Sequence, residues 1–428
     1  RSITPDGGGC VFLALAGERF DGHDFVRDAC ENGAAGVIIH RETSSLPDGV
    51  PVIRVRDTSA ALLDLGAAWR RELADTRVIA VTGSNGKTTT VRMIDSVLGA
   101  QLRGSASIKS FNNAIGVPLT VLGAKRDDAY LVAEAGMNAP EEMEPLSRVL
   151  TPDIAVITSI GRAHIGAFPD GILGIAREKA NLASHLAPGG IIVASADAPE
   201  LRAVLSGDDR VVWVGAAQYA SIRVTNIVTS ETGVTFKVGG AEFSINAPGQ
   251  HNALNAAMAV VVARRMGLED DAIREGLACF EGAPMRMQRL YLGGITIIND
   301  AYNANPDSMR AALDHFVAMP APTDGGRRIA VLGEMLEMGD HAQTEHRLLG
   351  QYLRGLADRI DLTITVGVGA AAIGGHVHFD ALDDAAIDTI ASMVKAGDTV
   401  LLKGSRGVGL ERVIPALEAR GRCSTTFT

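Results

Sequence analysis

The sequence predicts an α/β protein of three consecutive blocks whose sheets are largely parallel. Apolar β-branched runs followed by helix-like segments recur from one end of the chain to the other, as expected of strands joined through crossover helices. The rhythm changes between about Val211 and Ile245, where shorter alternating runs read as antiparallel strands joined by turns. With 428 residues, 46 % hydrophobic and 21 % charged, the chain is too long for one ordinary domain and apolar enough to fill several cores.

Block one (1–74) offers "CVFLALAG", "AAGVIIH" and "VPVIRV" as strands, with an amphipathic stretch from His23 to Asn32 after the first. It closes on "SAALLDLGAAWRREL", where Leu62, Leu65 and Trp69 keep helical spacing and Thr58 or Ser59 is the expected N-cap. Block two (75–284) opens on "RVIAVTGSNGKTTT" and continues with "AYLVAEAG", "PDIAVITSI" and "GGIIVASAD". The alternating runs "ASIRVTNIV", "GVTFKVGG" and "AEFSINAP" follow, and a helix near "HNALNAAMAVVVARRMG" ends it. Block three (285–428) begins around "GAPMRMQRL" and offers "ITIIND", "RRIAVLGEM", "DLTITVGV" and "DTVLLKGS", each leading into a helix.

Composition excludes several functions. Aromatics are only 4 %, the net charge is −10 and no Lys/Arg run occurs, so neither a stacking platform nor a basic surface for nucleic acid is expected. Cys10, Cys30, Cys279 and Cys423 are scattered without a C-x-x-C pair, which fits a reducing cytosol rather than a disulfide framework or zinc site. No apolar run approaches the roughly 18 residues of a membrane span. The chain opens on Arg1 rather than Met, the start expected of a piece trimmed from a longer product.

Chemistry is expected first at Gly83–Thr89. This "GSNGKTT" follows an apolar strand and precedes a helical pattern, so backbone N–H groups at a helix N-terminus form an anion site. Gly86 lets the backbone approach phosphate, Lys87 reaches the β/γ oxygens, and the Thr88 hydroxyl can ligate Mg²⁺. Glu134 ends the strand "AYLVAEAG" and His164 follows "PDIAVITSI". Carboxyl ends of parallel strands are where open α/β sheets bind ligands, so both are candidate metal ligands, although either could equally be a solvated or capping group. Lys179, alone on a helix of small residues, reads as pointing to solvent. Asp300 ends the strand "ITII" and either caps the loop "AYNANPD" or bonds ribose hydroxyls; the following helix starts at Pro306 or Asp307. Arg286, at the junction of blocks two and three, reaches a phosphate across the cleft or serves as a salt-bridge partner.

Taken together, these segments resemble the Mur ligase family over nearly the whole chain. The motifs run in the family's order: "GERFDGHDF" (17–25), "TGSNGKTTT" (82–90), "FNNAIGVPLT" (111–120), "EAGMNAPEEM" (134–143), "HIGAF" (164–168), "GQHNALNAAMA" (249–259), "NDAYNANPDSM" (299–309), "LGEMLEMGD" (332–340) and "LLKGSRG" (401–407). The loop alone marks the wider superfamily; "GERFDGHDF", "NNAIGVP", "YNANPDSM" and "KGSRG" point to the member that adds a dipeptide. The resemblance implies a small α/β N-terminal domain binding a UDP-sugar. It implies a central phosphate-loop domain whose mostly parallel sheet carries helices on both faces plus an antiparallel extension, and a Rossmann-like C-terminal domain taking the dipeptide. The implied activity is cytoplasmic, ATP-dependent joining of D-alanyl-D-alanine to UDP-N-acetylmuramoyl-tripeptide through an acyl phosphate, in peptidoglycan precursor synthesis. A monomer is expected.

Residue by residue, the resemblance implies that Gly83, Ser84, Asn85, Gly86, Lys87, Thr88 and Thr89 hold the ATP phosphates. Thr88 and Glu134 would share one Mg²⁺ and His164 would bind a second. Lys179 would be carbamylated by CO₂, which replaces its solvent-facing reading with an anion turned toward Mg²⁺. Asn255 would contact adenine, Arg286 the γ-phosphate and Asp300 the ribose. Gly17, Glu18, Arg19, Phe20, Asp21, Gly22 and His23 would form the uridine pocket. Asn112 and Asn113 would touch substrate; Tyr302, Asn303 and Asn305 would face the reacting groups. Lys403, Ser405 and Arg406 would lie near the dipeptide. Three departures stand out. Asn181 occupies a place where the family usually has Glu, "PEEM" at 140–143 lacks a glycine many relatives carry, and "RSI" is only the tail of a D-S-R uridine motif, so the opening strand and Asp are expected to be missing. The rival within the class is the ligase adding the third residue, whose diaminopimelate form carries a D-N-P-R string absent here. Folylpolyglutamate and cyanophycin synthetases share the loop but not "GERFDGHDF". From a different class, an ATP-dependent switch or binding protein would hydrolyse ATP without ligation.

Overall fold

The computed structural model describes residues 9–17, 20–43, 46–108, 110–322 and 325–424. Among these, the strands form three sheets. The first is small and parallel, in the order β1 (Val11–Leu13), β2 (Gly36–Ile39), β3 (Val52–Arg54). Phe12, Val37 and Val52 align across it and pack with Val26 from the helix Val26–Glu31, because alternate strand residues share a face.

The helix Thr58–Glu72 differs from expectation at its start and on its buried face. Its N-cap is Asp57, whose carboxylate accepts from the Ser59 and Ala60 N–H groups at 2.7 and 3.2 Å. A carboxylate there also opposes the positive end of the helix dipole. Leu62 is buried, but Leu65 is 41 % exposed, because the helix packs on two helices of the central block, Gly116–Gly123 and Met143–Leu150. Gly66 makes this approach possible: a Cβ there would stand 2.7 Å from that of Pro118. Arg70, on the same face, donates to the carbonyls of Leu73, Leu150 and Thr151 and pairs with Asp153 at 3.2 Å. Arg70→Met should therefore cost about 3 kcal/mol, since it orphans buried carbonyls and half of an ion pair. Urea unfolding of the two proteins side by side measures it.

The central sheet has nine strands: β4 (Arg77–Thr82), β5 (Gly104–Ala106), β6 (Tyr130–Glu134), β7 (Ile154–Ile157), β8 (Ile191–Ser195), β9 (Val211–Gly215), β10 (Ile222–Thr229), β11 (Val234–Val238) and β12 (Ala241–Ile245). Their order is β12-β11-β10-β9-β8-β7-β4-β6-β5. The antiparallel part starts later than the sequence suggested. β9 lies parallel to β8, because the helix Pro199–Leu205 carries the chain back between them. β10 begins parallel to β9 and only then pairs antiparallel with β11. Helices cover both faces: Lys87–Gly99 and Gln250–Arg265 pack on one, Met143–Leu150 and its neighbours on the other.

The third sheet contains β13 (Gln288–Leu292), β14 (Ile295–Asp300), β15 (Arg328–Gly333), β16 (Leu362–Val366), β17 (Val377–Phe379) and β18 (Thr399–Lys403), ordered β13-β14-β18-β15-β16-β17. It is parallel except for β13, which forms a hairpin with β14. Pro306 opens the helix Pro306–Ala318, with Asn305 as N-cap in a reciprocal capping box with Ser308. The expected fold class holds throughout. Among the described residues no helix is long and apolar enough to cross a membrane.

Candidate active site

The carboxyl ends of β4, β6 and β7 and the loops after β14, β15 and β18 enclose one cleft of about 1050 Å³. Its floor is the turn between β4 and the helix Lys87–Gly99. Gly83 and Gly86 sit at φ +154° and +81°. A Cβ on Gly83 would lie 1.9 Å from Thr158 Oγ1, and one on Gly86 would meet the Asn255 amide at 2.6 Å, so both positions require glycine. The loop after β7 braces the turn: Ser159 Oγ accepts from the Asn85 N–H at 2.9 Å, and the Ser84 hydroxyl donates to the Gly161 carbonyl at 3.1 Å. Lys87 folds back so that Nζ donates to the Gly83 carbonyl at 2.8 Å. Burial lowers its pKa, Arg286 lowers it further, and Glu134 and Glu337 oppose the shift. Thr89 lines the cleft.

Thr88 and Glu134 meet at 2.6 Å, hydroxyl donating to Oε2, while Asn112 Nδ2 donates to Glu134 Oε1 at 2.8 Å. Arg286 reaches in from the junction with the third sheet and places Nη2 3.0 Å from Thr88 Oγ1. Its guanidinium lies 4.2 Å from the centre of the Tyr302 ring. Both flanking residues, Met285 and Met287, adopt positive φ, which aims the Arg286 side chain at the turn. These hard oxygens beside a glycine cradle fit phosphate and Mg²⁺. Among the described residues no three His, Cys, Asp or Glu side chains form a metal cage.

His164 lines the same cleft; Lys179 does not line it, but the Lys87 charge acts on it. His164 sits at φ +60°, with Nδ1 3.2 Å from Glu337 Oε2. Burial, helped by the charges of Lys87 and Lys179, holds its pKa down to about 4. The solvent-facing reading of Lys179 is wrong: the residue is 2 % exposed, because the helix Gly171–Ala180 turns it inward. Burial pushes its pKa far below the usual lysine range, with Lys87 adding repulsion and Glu178 opposing. Asn181, where the family usually has Glu, donates to Glu178 Oε2 at 3.1 Å, and Glu178 in turn accepts from the Met143 N–H.

The lowered His164 pKa predicts a pH-dependent stability. Between pH 6.5 and 4 the unfolded chain takes up a proton that the folded chain refuses, so stability falls as the pH drops through that window. The penalty is up to about 3 kcal/mol, at about 1.4 kcal/mol per pH unit of displacement. A His164→Gln protein should lack this component when denaturation midpoints at pH 7 and pH 4.5 are compared.

Other expected residues fall into two groups. Asn255, Asn303, Asn305 and Arg406 line the same cleft, as does Asn113, whose carboxamide caps the helix Gly116–Gly123 through the Gly116 N–H. Asn305 also joins the two sheets, Nδ2 donating to Asn85 Oδ1 at 2.8 Å. Asp300 pairs with Lys403 at 2.8 Å and accepts from the Met287 N–H, while Lys403 donates to the Asn303 carbonyl. Ser405 is buried, its hydroxyl accepting from the Leu336 N–H. The segment 17–23 is not part of this cleft. Glu18 and Arg19 lie outside the described residues, as do residues 1–8. Phe20 is exposed, and the Gly17 N–H closes a tight turn on the Phe20 carbonyl. Gly22 packs against Leu15 with no room for a side chain. His23 is fully buried; the His40 N–H donates to its Nε2, so Nδ1 carries the proton and donates to Asp21 at 2.7 Å.

Ser110 and Glu337 were missed by sequence reasoning. Ser110 Oγ lies 3.3 Å from Thr88 Oγ1, a proximity no pattern announces. Glu337 lies four residues beyond the end of β15, so the strand-end signal that singled out Glu134 does not reach it.

Three family descriptions match the chain: "Mur ligase family, catalytic domain" at residues 6–70, "Mur ligase middle domain" at 81–263 and "Mur ligase, glutamate ligase domain" at 285–406. The UDP-N-acetylmuramoyl-tripeptide–D-alanyl-D-alanine ligase of Bacillus subtilis (strain 168) is 37 % identical, over 95 % of this chain and 90 % of its own. The protein of the same name from Escherichia coli (strain K12) is 33 % identical, over 99 % and 93 %. Among solved structures, MurF from Acinetobacter baumannii superposes with a TM-score of 0.85 at 31 % identity, covering 96 % of this chain and 90 % of its own. MurF ligase from Thermotoga maritima in complex with ADP gives 0.84 at 27 %, covering 97 % and 96 %. With relatives matched along nearly their full length and descriptions that span all three sheets, the chain belongs to the Mur ligase family.

Proposed function

We propose that this chain is the ADP-forming ligase that joins D-alanyl-D-alanine to UDP-N-acetylmuramoyl-tripeptide, in the cytoplasm, during peptidoglycan precursor synthesis. The observation that carries the reading is the meeting, in one cleft, of a phosphate-binding turn, the Thr88–Glu134 oxygen pair and an arginine delivered from the third block. The names of full-length relatives from two distant bacteria support the substrates, and the ADP complex of a relative supports the nucleotide. Residues 1–74 are proposed to take the UDP-sugar, 75–284 ATP and 285–428 the dipeptide. The working unit is proposed to be a monomer.

An amide cannot form from a free carboxylate without activation. The terminal carboxylate of the tripeptide attacks the γ-phosphorus of ATP, the bond to the β-phosphate oxygen breaks, and ADP leaves with the electron pair. The dipeptide amine then attacks the acyl carbon and loses a proton, the carbon–oxygen bond to phosphate breaks, and phosphate departs. In this scheme the N–H groups of Gly83–Thr89 and the Lys87 ammonium hold the phosphates, and Arg286, stacked on Tyr302, meets the γ-phosphoryl charge. Asn255 is assigned to the base and Asp300 to the ribose. Mg²⁺, held by Thr88 and Glu134 and, at a second position, by His164 and a carbamylated Lys179, would supply positive charge beside the transferred group. The Asn85–Asn305 bond and the Arg162 N–H donated to Asp307 hold the third block over the phosphate turn, an arrangement that keeps water from the acyl phosphate.

Phosphate release with each substrate omitted in turn tests the assignment. Release should require ATP, the UDP-muramoyl tripeptide and D-alanyl-D-alanine together. Release with ATP alone would overturn it in favour of a nucleotide-driven switch, and release that accepts a dipeptide precursor and a single amino acid would make it the third-residue ligase.

A further inference from the structure

Six carboxylates line the cleft: Glu134, Asp197, Glu231, Asp300, Asp307 and Glu337. Five of them already have donors. Glu134 is held by Thr88 and Asn112, Asp197 by the N–H groups of Ala216 and Ala217, and Glu231 by Arg289. Asp300 is held by Lys403 and the Met287 N–H, and Asp307 by the Arg162 N–H. Glu337 is half exposed into the cleft, and its partner is the His164 imidazole, Nδ1 3.2 Å from Oε2, which leaves Oε1 open to the cleft. A carboxylate that faces a reaction centre with one oxygen still open is suited to a donor that arrives with a substrate.

The backbone fixes where this carboxylate points. Glu337 adopts φ +66°, a conformation a non-glycine residue holds only at some cost, and its loop is anchored on both sides. The Leu336 N–H donates to Ser405 Oγ at 2.9 Å, and the Ser405 N–H donates to the Glu334 carbonyl at 3.1 Å. The side chain therefore spans from the segment after β18 to the phosphate end, where Lys87 feels its charge. An amine that must reach an acyl phosphate passes between these two points.

We propose that Glu337 receives the α-ammonium of the incoming dipeptide and sets its nitrogen beside the acyl carbon. The assignment rests on the ligase reading above. An ammonium offers three donors to the open oxygen of this carboxylate, and a charge-assisted bond of this kind orients the nitrogen. One proton passes to the carboxylate and on to solvent, and the neutral amine that results is the nucleophile.

The test is Glu337→Gln, assayed with two nucleophiles. D-Alanyl-D-alanine arrives as an ammonium; hydroxylamine is uncharged at neutral pH and takes the acyl group to give a hydroxamate and phosphate. The KM for the dipeptide should rise at least tenfold, those for ATP and the UDP-tripeptide should stay within twofold, and hydroxamate formation should persist, which also shows that the variant is folded. An unchanged dipeptide KM overturns the proposal. So does a parallel loss of hydroxamate, which would mean that Glu337 acts on phosphoryl transfer through His164. A wild-type protein that makes neither product overturns the ligase reading itself, and the assignment with it.

Discussion

Lys87→Met should lower ligation roughly a thousandfold, with the loss in kcat rather than in the KM of either peptide substrate. The ammonium sits within the phosphate turn and, among the described residues, bonds to carbonyls of its own loop, Gly83 at 2.8 Å and Ser84 at 3.5 Å. Such a group is available to phosphate oxygens without breaking an ion pair first. Burial disfavours its charge and lowers its pKa. A buried cation whose pKa is depressed on folding costs stability at neutral pH, so methionine, which keeps the stem and removes the charge, should leave Tm unchanged or raise it. Arginine should not rescue, since its planar fork does not fit where a single Nζ points at the Gly83 carbonyl. Loss of activity together with a marked fall in Tm would instead assign Lys87 to structure. Full activity in the methionine variant would refute the phosphate site.

The fold was legible where hydrophobic rhythm is long and regular. The apolar runs that became β4, β6, β7, β14, β15, β16 and β18 announce themselves, because strands buried on both faces need continuous apolar sequence. Short edge strands did not: "GSA" of β5 and "VHF" of β17 carry three residues each, too few for a period. The Leu65 face failed because the sequence says that the helix Thr58–Glu72 has an apolar stripe, not which block will cover it. Within the site, residues whose chemistry is local were read directly. The turn Gly83–Thr89 and the strand-end Glu134 needed only their neighbours in sequence. Lys179 was different. Its surroundings in sequence predict a solvent-facing lysine, and its burial follows from tertiary packing that only the family resemblance anticipated.

That burial makes Lys179 the source of the second large effect. Carbamate formation needs an uncharged amine: the nitrogen attacks CO₂, one proton leaves, and an anionic carbamate results. On the surface a lysine is almost wholly protonated at neutral pH, whereas here burial and the Lys87 charge favour the free amine. The sign follows: as pH falls through the lowered pKa the amine protonates and CO₂ is lost, so ligation should fall on the acid side and recover with added bicarbonate. Lys179→Ala should lose ligation by about a hundredfold or more, if the carbamate oxygens are the anion that steadies Mg²⁺. Lys179→Arg should do no better, because it retains a charge that repels Lys87. A short carboxylate such as acetate, entering the space left by the alanine variant, should restore part of the rate. The direct reading is ¹³C NMR after equilibration with labelled bicarbonate: the wild type should show a carbamate carbon that the alanine variant lacks. A wild type without that signal, as active in carbonate-free buffer as in air, would rule the carbamate out and leave a buried amine.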